Sequence, residues 1–213
     1  PMTSIRAFSE ILRDTDGLSG VEQNKYASII HGEAIRLTRL LDDLLDLSVL
    51  ENGQVSLNVS NGVLRDVLDR ALAAVSANDD DRLLEISRDR SSEGVRLHTD
   101  TERLSQVFIN LIANARKYCD ADRPRLTIRV VPHEGGVTVD FIDNGSGVAP
   151  EAQDMIFEKF ARVSDQKAGG AGLGLAICRQ IVTRLGGEIS YLPGQGGAAF
   201  RVSLPEKLSM AAQ

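Results

Sequence analysis

Tryptophan is absent from this 213-residue sequence, and aromatic residues make up only 4% of it. A core of stacked rings is therefore excluded, and the interior must be mostly Leu, Ile, Val and Ala. Cysteine occurs twice, at Cys119 and Cys178. The two fit no metal-ligand spacing and read as reduced, buried thiols of a cytoplasmic protein. No apolar run approaches the roughly 18 residues of a membrane span, and no secretory leader pattern is present. Any membrane anchor of a parent protein would have to lie in upstream segments. Concentrated positive charge is missing too: the net charge is −6 with no Lys/Arg cluster. That argues against nucleic acid as a partner, because neutralising phosphates requires such a cluster. What remains, 42% hydrophobic and 25% charged residues, is the composition of a folded chain rather than a disordered one.

The length suits one ordinary domain with a small appendage. Ile5, Phe8, Ile11 and Leu12 already follow the three-and-four spacing of one helix face. Pro1-Met2 is not a natural start, so the segment reads as the continuation of a helix begun upstream. Asp14–Gly20 is turn chemistry. Ser19 with Glu22 three residues on is a capping-box signature for a second helix, which Asn52-Gly53 is expected to stop. Ile30, Ala34, Leu37, Leu41 and Leu44 alternate steps of four and three, the seam of a coiled coil or four-helix bundle. Two helices cannot close such a core, so this face awaits either a second copy of the hairpin or the chain's own second half.

The period changes after Gly53. Val55, Leu57 and Val59 alternate like a strand, and residues 62–76 return to a helix face. Strands are expected at 83–87, 95–98, 125–131, 137–143, 187–192 and 198–204. Helices are expected from Asp100 to about Tyr118 (with Thr99 and Glu102 as a capping box), near 150–156, and after Gly172. Antiparallel hairpins mixed with helices predict an α+β fold with helices covering one sheet face. The expected organisation is a helical hairpin over 1–53, a second domain over 54–206 and a polar tail over 207–213.

Three segments of the second domain carry more than packing. Asn110 and Asn114 lie four apart on one helix face, with Lys117 close to it. They read either as solvent-facing asparagines or as an amide oxygen for a hard cation beside a phosphate-binding lysine. Asp143-Asn144-Gly145-Ser146-Gly147 follows a strand, and its spaced glycines let a ligand approach the backbone. Gly169–Leu175 is glycine-rich and leads into a helix, a ready site for phosphate oxygens. It is neither a Walker loop, lacking Lys-Ser or Lys-Thr, nor a Rossmann fingerprint.

In order and spacing these pieces resemble the histidine kinase catalytic domain, one branch of the Bergerat ATP-binding fold. The N box is Asn110-Leu-Ile-Ala-Asn114-Ala-Arg-Lys117-Tyr118, and the first glycine box is Asp143-Asn-Gly145-Ser-Gly147. The F box is Phe157-Glu-Lys-Phe160, and the second glycine box is Gly170-Ala-Gly172-Leu173-Gly174-Leu175. The resemblance implies a Bergerat-type α/β sandwich, with a mixed sheet covered by helices, that binds ATP and Mg²⁺. It implies that Asn114 holds Mg²⁺ through its side-chain oxygen with Asn110 in support. Lys117 and Arg162 would neutralise the phosphates, and Tyr118 and Val148 would line the nucleotide. Asp143 would accept a hydrogen bond from the adenine amine, with Gly145 and Gly147 giving the base room. Residues 161–172 would form a lid, with Phe157 and Phe160 anchoring it in the core.

Residues 1–53 resemble the family's dimerisation and phosphotransfer hairpin, and Pro1-Met2-Thr3-Ser4-Ile5 matches the tail of its acceptor motif. The acceptor histidine would then stand five residues before Pro1. His31, His98 and His133 are expected to be ordinary residues, since none pairs with a carboxylate at helical spacing. The resemblance implies autophosphorylation on histidine, a homodimer joined through the hairpin, and a response-regulator receiver domain as phosphoryl acceptor. Aligned on Phe200 and Leu204-Pro205, the third glycine box has Ala198 in place of its usual hydroxyl residue and Gln195 in place of its first glycine. That predicts one polar contact fewer beneath the adenine. It keeps open a rival reading as a non-catalytic, ATP-responsive dimeric scaffold. A clamp-type ATPase of the wider Bergerat group is the other rival.

Overall fold

The computed structural model describes residues 1–51, 56–76, 83–161 and 172–208. Its contacts divide the chain into two compact units, Pro1–Ser48 and Val49–Gln213.

The first unit is helical. Helix α1 spans Met2–Asp14 and α2 spans Gly20–Glu51, running on into the second unit. The capping box at the head of α2 forms in both directions. The Ser19 amide donates to the Glu22 carboxylate at 2.9 Å, and the Glu22 amide donates to Ser19 Oγ at 3.3 Å. Phe8 stacks on Tyr26 with ring centroids 5.4 Å apart. Yet α1 contains no buried residue. Along the expected seam Ala34, Leu41 and Leu44 are exposed, while Ile30 and Leu37 are half-buried. The Asn52-Gly53 stop lies outside the described residues.

The second unit is an α+β sandwich. Five strands form a mixed sheet in the order β2 (Glu85–Arg88), β4 (Arg125–His133), β5 (Gly136–Asp143), β7 (Ala199–Pro205), β6 (Glu188–Tyr191). The β2–β4 pair is parallel and the other pairs are antiparallel. A separate two-stranded ribbon pairs β1 (Ser60–Val63) with β3 (Arg96–Thr99). Helices α3 (Leu64–Ser76), α4 (Thr101–Tyr118) and α5 (Gly174–Arg184) pack side by side, with α4 in the middle and in contact with β5.

Register explains which side of the sheet they cover. Val137, Val139 and Phe141 of β5 stand opposite Leu204, Val202 and Phe200 of β7, so residues of one parity share a face. These side chains are buried, as are Leu126, Ile128 and Val130 of β4. From above, α4 supplies Leu104, Val107, Phe108, Leu111, Ile112 and Ala115, a stripe at the helical repeat. Phe108 meets Phe141 with centroids 5.2 Å apart. Both cysteines are free and buried, as expected.

Three expectations need correcting. Residues 56–59 form no strand; the strand begins at Ser60, where pairing with β3 becomes available. The α4 cap is Asp100 rather than Thr99: its Oδ1 accepts from the Glu102 and Arg103 amides at 3.1 and 3.0 Å. Thr99 belongs to β3 and points its hydroxyl inward without a partner. The helix expected near 150–156 shrinks to one 3-10 turn, Pro150–Ala152. At the chain end, the Leu208 amide donates to the His98 carbonyl at 3.0 Å, so residues 207–208 run beside β3.

Candidate nucleotide site

Asp143 closes β5 at the edge where the glycine-bearing turn begins. Its backbone amide donates to the Ala198 carbonyl, and its Oδ1 accepts from the Gly145 and Ala198 amides, each at 2.9 Å. Asp143 is 8% exposed. Burial pushes its pKa up, the two amides pull it back, and the neighbouring negative charge of Asp120 adds to the rise. A buried carboxylate with one oxygen tied to backbone amides, and the other without a hydrogen bond to any described residue, is an acceptor held ready for a donor.

The backbone around it admits only glycine at key points. A side chain at Gly197 would bring its Cβ 2.1 Å from the Asp143 carbonyl oxygen. Gly147 has a φ of 79° and faces Gly197 and the Tyr191 hydroxyl, a conformation that L-residues with side chains avoid. The Val148 amide donates to that hydroxyl at 3.1 Å. Tyr191 in turn packs edge-on against Phe200, as does Phe157 from the other segment.

The asparagine helix reaches the same region from two sides. Near its middle, the Asn110 amide carbon lies 4.0 Å from the place where Gly174 would carry a Cβ. Asn114 sits one turn further along. Neither asparagine side chain hydrogen-bonds to any described residue, and both are half-buried. Past the C-terminus of the helix, Cys119 and Asp120 abut Gly145: a Cβ there would lie 2.9 Å from Asp120 Oδ1 and 3.1 Å from Cys119 Cα. Lys117 Nζ lies 4.8 Å from the centre of the Tyr118 ring, which is itself exposed. So α4 touches the start of α5 at Asn110 and the first glycine turn at its end.

Leu173, buried, occupies the N-cap of α5, and among the described residues no side chain caps that helix. Its first-turn amides are thus free to meet an anion. Gly172, at φ 71°, accepts a hydrogen bond from Phe160. Phe160 is 60% exposed and therefore does not anchor in the core as expected, whereas Phe157 does pack inward. Phe160 has a φ of 63°. Arg162, Gly170 and the interior of the expected lid lie outside the described residues. His31 is exposed, His98 Nδ1 lies 2.9 Å from Asn61 Oδ1, and His133 ends β4.

The sequence reading missed three contributors. The missing hydroxyl at Ala198 is answered by its backbone amide, which reaches Asp143 directly. Tyr191 hides in a strand whose alternation marks it only as core. Asn144 reads as an ordinary turn residue, yet its side chain makes three hydrogen bonds to Cys119, Arg123 and Arg125. Among the described residues no group of three His, Cys, Asp or Glu side chains could hold a metal. None of the described helices is long and apolar enough to cross a membrane.

Comparison with known proteins agrees with this arrangement. Residues 99–208 match the family described as "Histidine kinase-, DNA gyrase B-, and HSP90-like ATPase". Residues 1–53 match the His Kinase A (phospho-acceptor) domain. The chain is 34% identical over 211 residues to the sensor protein KdpD of Escherichia coli, covering 97% of this chain and 23% of that protein. It is 31% identical over 215 residues to the sensor protein kinase WalK of Staphylococcus aureus, covering 96% of this chain and 50% of that one. It thus spans half or less of the curated relatives it matches. Among solved structures, the Acinetobacter baumannii histidine kinase AdeS superposes with a TM-score of 0.73 at 25% identity, covering 97% of this chain and 95% of that one. Full-length ShkA in complex with AMPPNP gives 0.74 at 25% identity, covering 99% and 44%. A phospho-acceptor hairpin, an ATPase sandwich and these relatives together make the chain a member of the sensor histidine kinases, spanning their two-component kinase core.

Proposed function

We propose that the chain binds Mg-ATP in the second unit and dimerises through the first, to phosphorylate a histidine supplied from residues before Pro1. The functional division would be 1–53 for dimerisation and phosphotransfer, 54–206 for nucleotide and 207–213 for a tail. The observation that carries the reading is the convergence of α4, the Asp143–Val148 turn and the start of α5, each offering a group with unused capacity.

In this reading Asp143 accepts a hydrogen bond from the exocyclic amine of adenine. Gly145 and Gly147 leave room for the base, while Val148 and Tyr118 line it. The amides from Gly170 through Gly172, Leu173, Gly174 and Leu175 face the phosphates, and Lys117 and Arg162 offset their charge. The donor set suits magnesium in one respect: Asn114 offers an amide oxygen, a hard ligand, that takes no hydrogen bond from any described residue, with Asn110 a turn away. Such an ion needs few protein ligands when phosphates and waters supply the rest. Bound there, it would neutralise charge on the phosphates during transfer. The imidazole attacks the γ-phosphorus, the bond to the bridging oxygen breaks, and ADP leaves with that electron pair. The phosphoryl group then passes to an aspartate of a response-regulator receiver domain. Ala34, Leu41 and Leu44, left open on α2, support a second copy of the hairpin as the dimer partner.

The test is to extend the chain upstream through the acceptor motif and supply γ-labelled ATP. Acid-labile, base-stable phosphate on the protein is the expected result. An extended chain that binds ATP yet never acquires such phosphate would be a non-catalytic scaffold.

A further inference from the structure

Asn144 stands next to Asp143 and binds three backbone or side-chain groups from one short segment. Its Oδ1 accepts from the Arg125 amide at 2.7 Å and from the Cys119 thiol at 3.3 Å, and its Nδ2 donates to the Arg123 carbonyl at 3.0 Å. The same segment reaches back: Asp120 Oδ1 accepts from the Ser146 amide at 2.7 Å. Each loop therefore lends the other a side chain. Residues 119–125 leave α4, and residues 143–147 leave β5, so the exchange locks the end of the asparagine helix to the start of the glycine turn.

We propose that Asn144 is a positioning residue for adenine recognition: by tying the turn to residues 119–125 it sets the direction of the Asp143 carboxylate. This rests on the reading of Asp143 as the acceptor for the adenine amine. The physical case is one of leverage. Asp143 Oδ1 is pinned by Gly145 and Ala198, and Gly145 lies between Asn144 and Ser146, the two residues held from residues 119–125. Release of the Asn144 anchor, on the side next to Asp143, would loosen the Gly145 amide, and with it the plane of the carboxylate. An amide is suited to the task because it donates and accepts at once; a carboxylate would set its second oxygen against the Arg123 carbonyl. Asn144 itself is exposed, so its contacts serve local geometry more than the core.

The experiment compares ATP with purine ribonucleoside triphosphate, the same nucleotide without the exocyclic amine, by calorimetry on the whole chain. The wild-type chain should prefer ATP by about tenfold or more, since hydrogen bonds to charged groups are strong. Asn144→Ala should cut that preference to roughly threefold or less while leaving affinity for the purine nucleotide within about twofold. Asp120→Asn, which keeps an acceptor oxygen for Ser146, should retain the preference. An Asn144→Ala chain that keeps the full preference, or loses both nucleotides equally, would overturn the positioning role. A wild-type chain without preference would instead overturn the Asp143 reading beneath it. Should Asn144→Ala fail to fold, Asn144→Asp serves the same comparison, with an intermediate preference expected and an unchanged one counting against the proposal.

Discussion

The two units solve the burial problem differently. The Val49–Gln213 unit covers one face of a five-stranded sheet with three helices and buries Phe108, Phe141, Leu104, Leu111, Ile128 and Ile177 almost completely. The Pro1–Ser48 unit has two helices, and α1 buries nothing. A helix pair of that kind leaves apolar surface in water at ~25 cal/mol per Å², and closing it needs further helices. The contrast teaches that the second unit encloses a core of its own, whereas the two helices of the first leave apolar positions open to solvent.

That contrast can be broken or sharpened by substitution. The largest effect is expected at Phe108→Ala, which removes a fully buried ring and should cost about 3–5 kcal/mol of stability by denaturant unfolding. Phe8→Ala, in a half-exposed stack, should cost about 1 kcal/mol or less in a monomer. Equal losses would mean that the hairpin has a complete core after all. Next in size, Leu41→Lys combined with Leu44→Lys should convert a dimer to monomer in sedimentation equilibrium, with ATP affinity unchanged. A dimer that survives both charges would move the interface elsewhere.

A smaller effect concerns pH. Burial raises the Asp143 pKa in the folded chain, so the folded state binds a proton more readily than the unfolded state does. Stability contributed by this group therefore falls as pH rises through that window and is regained on acidification. Affinity for ATP should move the other way, because a protonated carboxyl loses its acceptor charge. Comparing wild type with Asp143→Asn across acidic pH isolates both slopes; parallel stability profiles would show that folding leaves the Asp143 pKa unshifted. The smallest effect belongs to the hairpin. Ser19→Ala removes the α2 cap and should cost about 1 kcal/mol, read as lost helix by circular dichroism.

Periodicity revealed most of the architecture because buried faces repeat with the pitch of the element. The α4 stripe and the β5–β7 alternation are both visible in the chain. Boundaries were harder. Thr99 and Asp100 are equally good caps in isolation, and pairing of Thr99 with Ser60 decides between them. Leu57 and Val59 alternate properly, but a strand needs a partner, and among the described residues β3 pairs only from Ser60 onward; Val55 lies outside the described residues. Within the site, the motif residues could be found by type and spacing, since glycine and asparagine are unusual choices there. Backbone donors could not. Ala198 looks like a lost contact in sequence because its amide is common to nearly every residue type. The reach of Asn144 across nineteen residues to Arg125 likewise depends on how two loops meet in space.

The measurement that bears most directly on the central claim is a crystal structure of this chain with a non-hydrolysable ATP analogue and magnesium. The account predicts one nucleotide, its adenine amine within hydrogen-bond distance of Asp143, its phosphates toward the start of α5, and an ion against Asn114. A nucleotide bound away from Asp143, or an Asn114 side chain far from the ion, would contradict it.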